Sequence, residues 1–298
     1  MRREPSAVSI PESLGATRWL GRRPDLRGRV VLVNFWTLTC INWIRQAPWL
    51  RAWAHAYRDD GLVVVGVHTP EFSFEHDVAL VEQARRARRL DYPIAIDNDS
   101  AVWTAFDNYY WPALYFADRD GVIRDFHIGE GRYEESERVL QRLLGVDREP
   151  VGVTGAGIEA PADWEHLRTP ELYLNDPARD AGHAYLPINR WGTAGDWTID
   201  RGRATLRADE GSLACHFQAR DAHLVLSSGA GGPIPFQVFL DGEPPGPHHG
   251  TDVDEAGRGV LREGRLYHLI RQRDAVREVT VEVAFLGAGA EAYAFTFG

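Results

Sequence analysis

Two almost wholly apolar runs, residues 30–35 with only Asn34 interrupting and 62–67, constrain this chain more than any other feature. A strand apolar at nearly every position is buried on both faces, which happens where other elements cover both sides of a largely parallel sheet. Between the runs, Ile44, Ala47, Leu50, Ala54 and Tyr57 recur on one stripe, predicting a helix over about 41–57. Strand, helix, strand is a parallel crossover unit. The pattern continues with an arginine-rich helix over roughly 77–90 and a short strand over 93–96. A hairpin of 113–117 and 122–128 follows around Asp118-Arg119-Asp120-Gly121, and an amphipathic helix over 133–144 closes the unit. Parallel crossovers ending in a hairpin and helix predict an α/β domain layered around one sheet.

The character of the chain changes near residue 150. Residues 149–184 are rich in Gly, Pro and Asp, yet Trp164, Leu167, Leu172 and Tyr173 are too apolar for a free tether. They predict a linker that packs on the domains. Beyond it, 185–298 is a series of short alternating segments separated by turn residues, the pattern of an all-β sandwich of jelly-roll type. The expected organisation is therefore 1–148, a linker 149–184, and 185–298; 298 residues suffice for two cores.

Charge and composition exclude several classes of partner. A net charge of −10 argues against nucleic acid, which needs a positive face. No apolar run approaches the ~18–20 residues of a membrane span, so no membrane partner is expected. Met1-Arg2-Arg3-Glu4-Pro5-Ser6 has no apolar stretch behind its arginines, and the expectation is a cytoplasmic protein. The basic residues are all arginine, so no lysine nucleophile is available. Two cysteines cannot build a disulfide framework.

The chemistry centres on Trp36-Thr37-Leu38-Thr39-Cys40-Ile41-Asn42-Trp43. A strand ends, a short turn follows, and a helix begins at about Cys40. A thiol at that junction faces helix N–H groups and the positive end of the dipole. Such a setting lowers thiol ionisation from ~8.5 into roughly the 3.5–7.5 range, giving the thiolate that attacks disulfides and peroxides. The plain alternative is a buried structural cysteine. Pro48, eight residues on, falls inside the predicted helix, and Trp111-Pro112 stands directly before a strand, where a cis bond is a deliberate feature.

With the element order, these residues resemble the thioredoxin fold. That resemblance implies a kinked active-site helix and a cis Pro112 near Cys40. The segments 35–43, Gly66-Val67-His68-Thr69-Pro70-Glu71-Phe72 and Gly129-Glu130-Gly131-Arg132-Tyr133 are similar to the soluble part of DipZ-type cytochrome c biogenesis proteins, relatives of the TlpA-like thiol-disulfide oxidoreductases. In the second half, 250–254 and 291–298 look like that family's carbohydrate-binding-module-like β domain. Family members that run dithiol chemistry carry a second cysteine where this chain has Trp43, and their membrane-spanning electron-supply domain has no counterpart here.

With Trp43 in that place, Cys40 can form a mixed disulfide that only an outside thiol resolves. Three uses remain. The first is a monothiol thiol-disulfide oxidoreductase working with a low-molecular-weight thiol or a protein disulfide. The second is a one-cysteine peroxidase passing through sulfenic acid; Thr37-Leu38-Thr39-Cys40 keeps the Thr-X-X-Cys of the peroxiredoxin signature, although Val33 stands where that signature has proline. The third is a non-catalytic module binding a ligand in the groove beside Cys40, with a glycan or protein partner at the β domain.

Around the thiol, Glu71 resembles a family position that could accept a proton, its alternative being a loop or cap residue. Arg45 either stabilises a thiolate or is an exposed helical arginine. Trp36, Asn42, Trp43, Tyr110 and Trp111 are the candidate groove, or the aromatic rings among them fill the core edge. Cys215 alternates with Leu213 and Phe217 and reads as a core cysteine rather than a resolving thiol. His248-His249-Gly250-Thr251-Asp252-Val253-Asp254-Glu255 mixes imidazole and carboxylate but lacks a metal-site spacing, so it reads as a solvated turn. Neither metal nor cofactor is expected.

Overall fold

The computed structural model describes Ile10 and residues 14–175, 185–200, 202–229 and 231–298. Met1–Ser6 and the last part of the expected linker, 176–184, lie outside the described residues. The chain divides into two compact units, Met1–Glu159 and Ala160–Gly298.

In the first unit the elements run β1 (Arg18–Leu20), β2 (Val30–Trp36), α1 (Ile41–Ala56), β3 (Leu62–His68), α2 (Val78–Ala87), β4 (Ile94–Ile96), α3 (Ala101–Ala105), β5 (Ala113–Ala117), β6 (Ile123–Ile128) and α4 (Tyr133–Leu144). The sheet order is β1-β4-β3-β2-β5-β6. β2 pairs parallel with β3, from Val30↔Leu62 to Trp36↔His68, and antiparallel with β5. Its central position explains why every residue of β2 is buried. Residues 113–117 and 123–128 form the expected hairpin, and β1 adds an antiparallel edge against β4 that the sequence pattern did not reveal. α2 begins where the Asp77 side chain accepts a hydrogen bond from the Ala79 N–H (2.8 Å). α4 stops at Gly145, whose φ of +74° suits the left-handed closing residue of a helix. Residues 149–159 pack on this unit: the Val151 N–H donates to Glu137 (2.8 Å), and Arg51 on α1 pairs through both guanidinium ends with Glu159.

The second unit is all-β. Its strands are β7 (Leu172–Tyr173), β8 (Arg190–Asp200), β9 (Arg203–Gln218), β10 (Asp221–Ser227), β11 (Ile234–Leu240), β12 (Arg258–Leu261), β13 (Arg265–Arg271), β14 (Glu278–Phe285) and β15 (Glu291–Phe297). They join into one antiparallel sheet whose main path is β12-β11-β14-β9-β15-β10-β13. β11 and β13 lie toward opposite ends of that path, yet the rings of Phe236 and Tyr267 meet edge to face at 6.0 Å. The sheet therefore curls over its own apolar face. Leu213, Cys215 and Phe217 sit fully buried on that face. Leu167 and Leu172 pack partly against it, whereas Trp164 is 60% exposed.

The stretch 246–255 is more tightly fixed than a solvated turn. His249 Nδ1 lies 2.9 Å from the Val253 carbonyl, Asp252 accepts from the His268 N–H (2.8 Å), and Val253 is buried. No metal-binding cluster occurs among the described residues, and no described helix is long and apolar enough to cross a membrane.

Candidate active site

Cys40 is the N-cap of α1, with φ −68° and ψ 110°, and its side chain makes no capping hydrogen bond. The turn that delivers it is closed by the Cys40 N–H donating to the Thr37 carbonyl (3.3 Å), and its own carbonyl starts the helix by accepting from Ile44 (2.9 Å). The thiol is half-buried; the other thiol, Cys215, is wholly enclosed, and burial pushes its ionisation up.

Around Cys40 the first unit assembles three groups. The first is aromatic. Trp36, at the end of β2, and Trp43, one turn into α1, are both fully buried and stack at 4.1 Å. The Trp43 indole N–H donates to Asn34 Oδ1 (2.9 Å). These rings form a closed layer rather than the walls of an open groove. Trp111 lies against Trp103 at 4.4 Å, and Tyr110 is 60% exposed. His68, at the end of β3, stands edge-on to Trp36 at 4.8 Å. Burial lowers its ionisation to about 3, and neither ring nitrogen has a hydrogen-bond partner among the described residues. It is a neutral imidazole and supplies no positive charge.

The second group ties α1 to the loop after β6. Arg45 is 4% exposed, which corrects the reading of an exposed helical arginine. Its Nε and Nη2 donate to the Glu130 carboxylate (3.1, 3.0 and 2.6 Å), and Nη2 also donates to Asn42 Oδ1 (2.8 Å). Alongside, Asn34 Nδ2 donates to Gln46 Oε1 and Gln46 Nε2 to the Gly129 carbonyl, each at 3.3 Å. The Gly129 N–H donates to the carbonyl of Pro112 (2.8 Å), whose bond to Trp111 is cis. Burial raises the Glu130 carboxyl, and Arg45 counters part of that rise.

The third group was not read from the sequence. Glu75, in the short 3-10 turn Ser73–His76, is completely buried. Its Oε2 accepts from Thr37 Oγ1 (2.6 Å) and from the N–H groups of Glu71 (2.6 Å) and Phe72 (2.9 Å). Its Oε1 accepts from Thr39 Oγ1 (2.7 Å) and the Thr39 N–H (3.2 Å). Burial pushes this carboxyl above the ordinary carboxylate range, and the hydrogen bonds offset part of the rise. Thr37 thus meets Glu75, and Glu71 contributes its main-chain N–H to the same carboxylate. The Phe72 and Phe74 that flank this acid were the available signal of burial.

Residues 22–126 match the AhpC/TSA family, and 165–298 match the thioredoxin-like C-terminal domain. The chain is 34% identical over 263 residues to protein DipZ of Mycobacterium tuberculosis, covering 80% of this chain but 37% of DipZ. It is 30% identical over 139 residues to the thiol-disulfide oxidoreductase YkuV of Bacillus subtilis, covering 45% of this chain and 93% of YkuV. Among solved structures, a thioredoxin-like protein in the oxidized form is 29% identical with a TM-score of 0.43, covering 47% of this chain and 98% of that one. A half-buried thiol at the head of α1, in a chain so related along both of its units, belongs to the TlpA- and DipZ-like family of thioredoxin-fold proteins.

Proposed function

We propose that the protein is a monothiol thiol-disulfide oxidoreductase acting through Cys40. The observation that carries this reading is the pairing of a half-buried Cys40 at a helix N-terminus with a buried indole at position 43. The Cys40 thiolate attacks one sulfur of a disulfide, the S–S bond breaks, and the second sulfur leaves as a thiolate. An external thiolate then attacks the mixed disulfide, regenerating Cys40 and carrying the bond away. Trp43 offers no sulfur for that second step, and Cys215 is a buried, protonated thiol rather than a nucleophile. The substrate class is a protein disulfide or a low-molecular-weight disulfide, in keeping with the thiol-disulfide oxidoreductase named among the relatives.

The test is intact mass after incubation with a low-molecular-weight disulfide, then with excess thiol. The expected result is one adduct on the wild type, removed by the thiol, and none on Cys40→Ser. Peroxide consumption that depends on Cys40, without adduct turnover, assigns the protein to one-cysteine peroxidase chemistry instead. Identical behaviour of wild type and Cys40→Ser in both assays leaves a binding module.

A further inference from the structure

Glu75 is an acidic side chain enclosed without a cation: its five hydrogen-bond donors are neutral, and no ion pair to it occurs among the described residues. A carboxylate in such a place is unfavourable unless every lone pair is used, and here the donors come from two separate pieces of chain. Two are main-chain N–H groups of Glu71 and Phe72, on its own segment. The other three belong to the turn ahead of the thiol, namely the Thr37 hydroxyl and both the hydroxyl and N–H of Thr39. Thr39 is the residue before Cys40, and both threonines are buried. The Thr39 N–H donates to the carboxylate at 3.2 Å.

We propose that Glu75 is the positioning residue of the Cys40 site, a buried clamp that holds the Thr37–Thr39 turn so that the thiol is delivered to the first turn of α1. The inference rests on Cys40 being the reacting atom, as proposed above. Glu75 acts through the two threonines it binds. An amide cannot replace it. A glutamine at 75 that keeps its oxygen on the Glu71 and Phe72 N–H groups turns its NH2 toward the Thr39 N–H, donor against donor, so the clamp opens on the side of Cys40.

The test is the alkylation rate of Cys40 by iodoacetamide at neutral pH, with enclosed Cys215 as the in-chain control that must stay unlabelled and thermal unfolding as the check on folding. Thr39→Val removes one hydroxyl donor and leaves the charge in place; Thr39→Ser keeps that donor. The clamp predicts a fall of about fivefold or more in Thr39→Val, recovery to within about twofold in Thr39→Ser, and a comparable fall in Glu75→Gln. It also predicts that Glu75→Gln combined with Thr39→Val is no slower than the worse single change, since both break one unit. A faster Cys40 in Glu75→Gln overturns the proposal, because the residue then acts by its charge. Folded variants that all react within twofold of wild type overturn it as well. If Glu75→Gln does not fold, the Thr39 pair still decides. A wild-type Cys40 that alkylates but turns over no disulfide defeats the oxidoreductase reading and leaves the clamp standing.

Discussion

At position 43 the indole lies against Trp36, donates to Asn34 and is shut off from water. It is both a packing element and the reason the site has one sulfur. Trp43→Cys is therefore expected to lower stability by about 3–5 kcal/mol, the cost of removing a large buried ring and leaving a cavity. In the molecules that fold, oxidation should join positions 40 and 43, which intact mass reads as the loss of two hydrogens without an external adduct. A variant that stays as stable as wild type denies the ring its structural role. Cys40 itself was legible because a thiol at the end of an apolar run and the start of a periodic stretch is a local pattern. Glu75 was not, because its meaning lies in partners 36 and 38 residues away. No local rule joins Glu75 to Thr37.

α1 shows why the surroundings of the thiol were harder to read than the thiol. The helix is buried around most of its circumference, so Arg45 and Gln46, which fall off the apolar stripe, are enclosed along with Ile44 and Ala47. Periodicity locates a helix with one wet face and says little about one covered on several sides. The same limit hid β1, three residues long at a sheet edge, whereas the boundaries of β2, β5 and α4 fall where apolar runs and turn residues place them. The enclosed Arg45–Glu130 pair, with side chains 3% and 7% exposed, fastens α1 to the loop after β6. Glu130→Gln leaves a buried guanidinium without its counter-charge, and a loss of about 3–5 kcal/mol is expected in denaturant unfolding. Arg45→Met with Glu130→Leu should recover most of it, since the desolvation cost goes with the charges. A single Glu130→Gln within 1 kcal/mol of wild type, on the order of a surface pair, shows that the fastening is not there.

Across the whole molecule, the two units are expected to answer differently to acid. In the second, Asp221 is 2% exposed and is held by His268 (3.0 Å), Arg271 (2.6 Å) and Arg220 (2.6 Å). Burial works against its charge, but the hydrogen bonds from His268 and Arg271 more than offset that and keep the carboxyl well below the usual range. A depressed carboxyl contributes stability that is complete above the ordinary aspartate value of ~3.9 and is lost as pH falls through its folded value. Asp221→Asn should therefore unfold its unit about 3 kcal/mol more easily at pH 7, with the difference from wild type shrinking as the solution is made strongly acidic. Equal acid and neutral differences remove Asp221 from that role. In the first unit Glu75 carries the opposite sign, since a raised carboxyl favours the folded state more as pH falls. If Cys40 works as the single thiol proposed above, the enclosed position of Cys215 leaves whatever is bonded to Cys40 with no internal way out. On that proposal its dwell time is set by the reductant outside, so each molecule would keep a record of the last oxidant it met until its surroundings erased it.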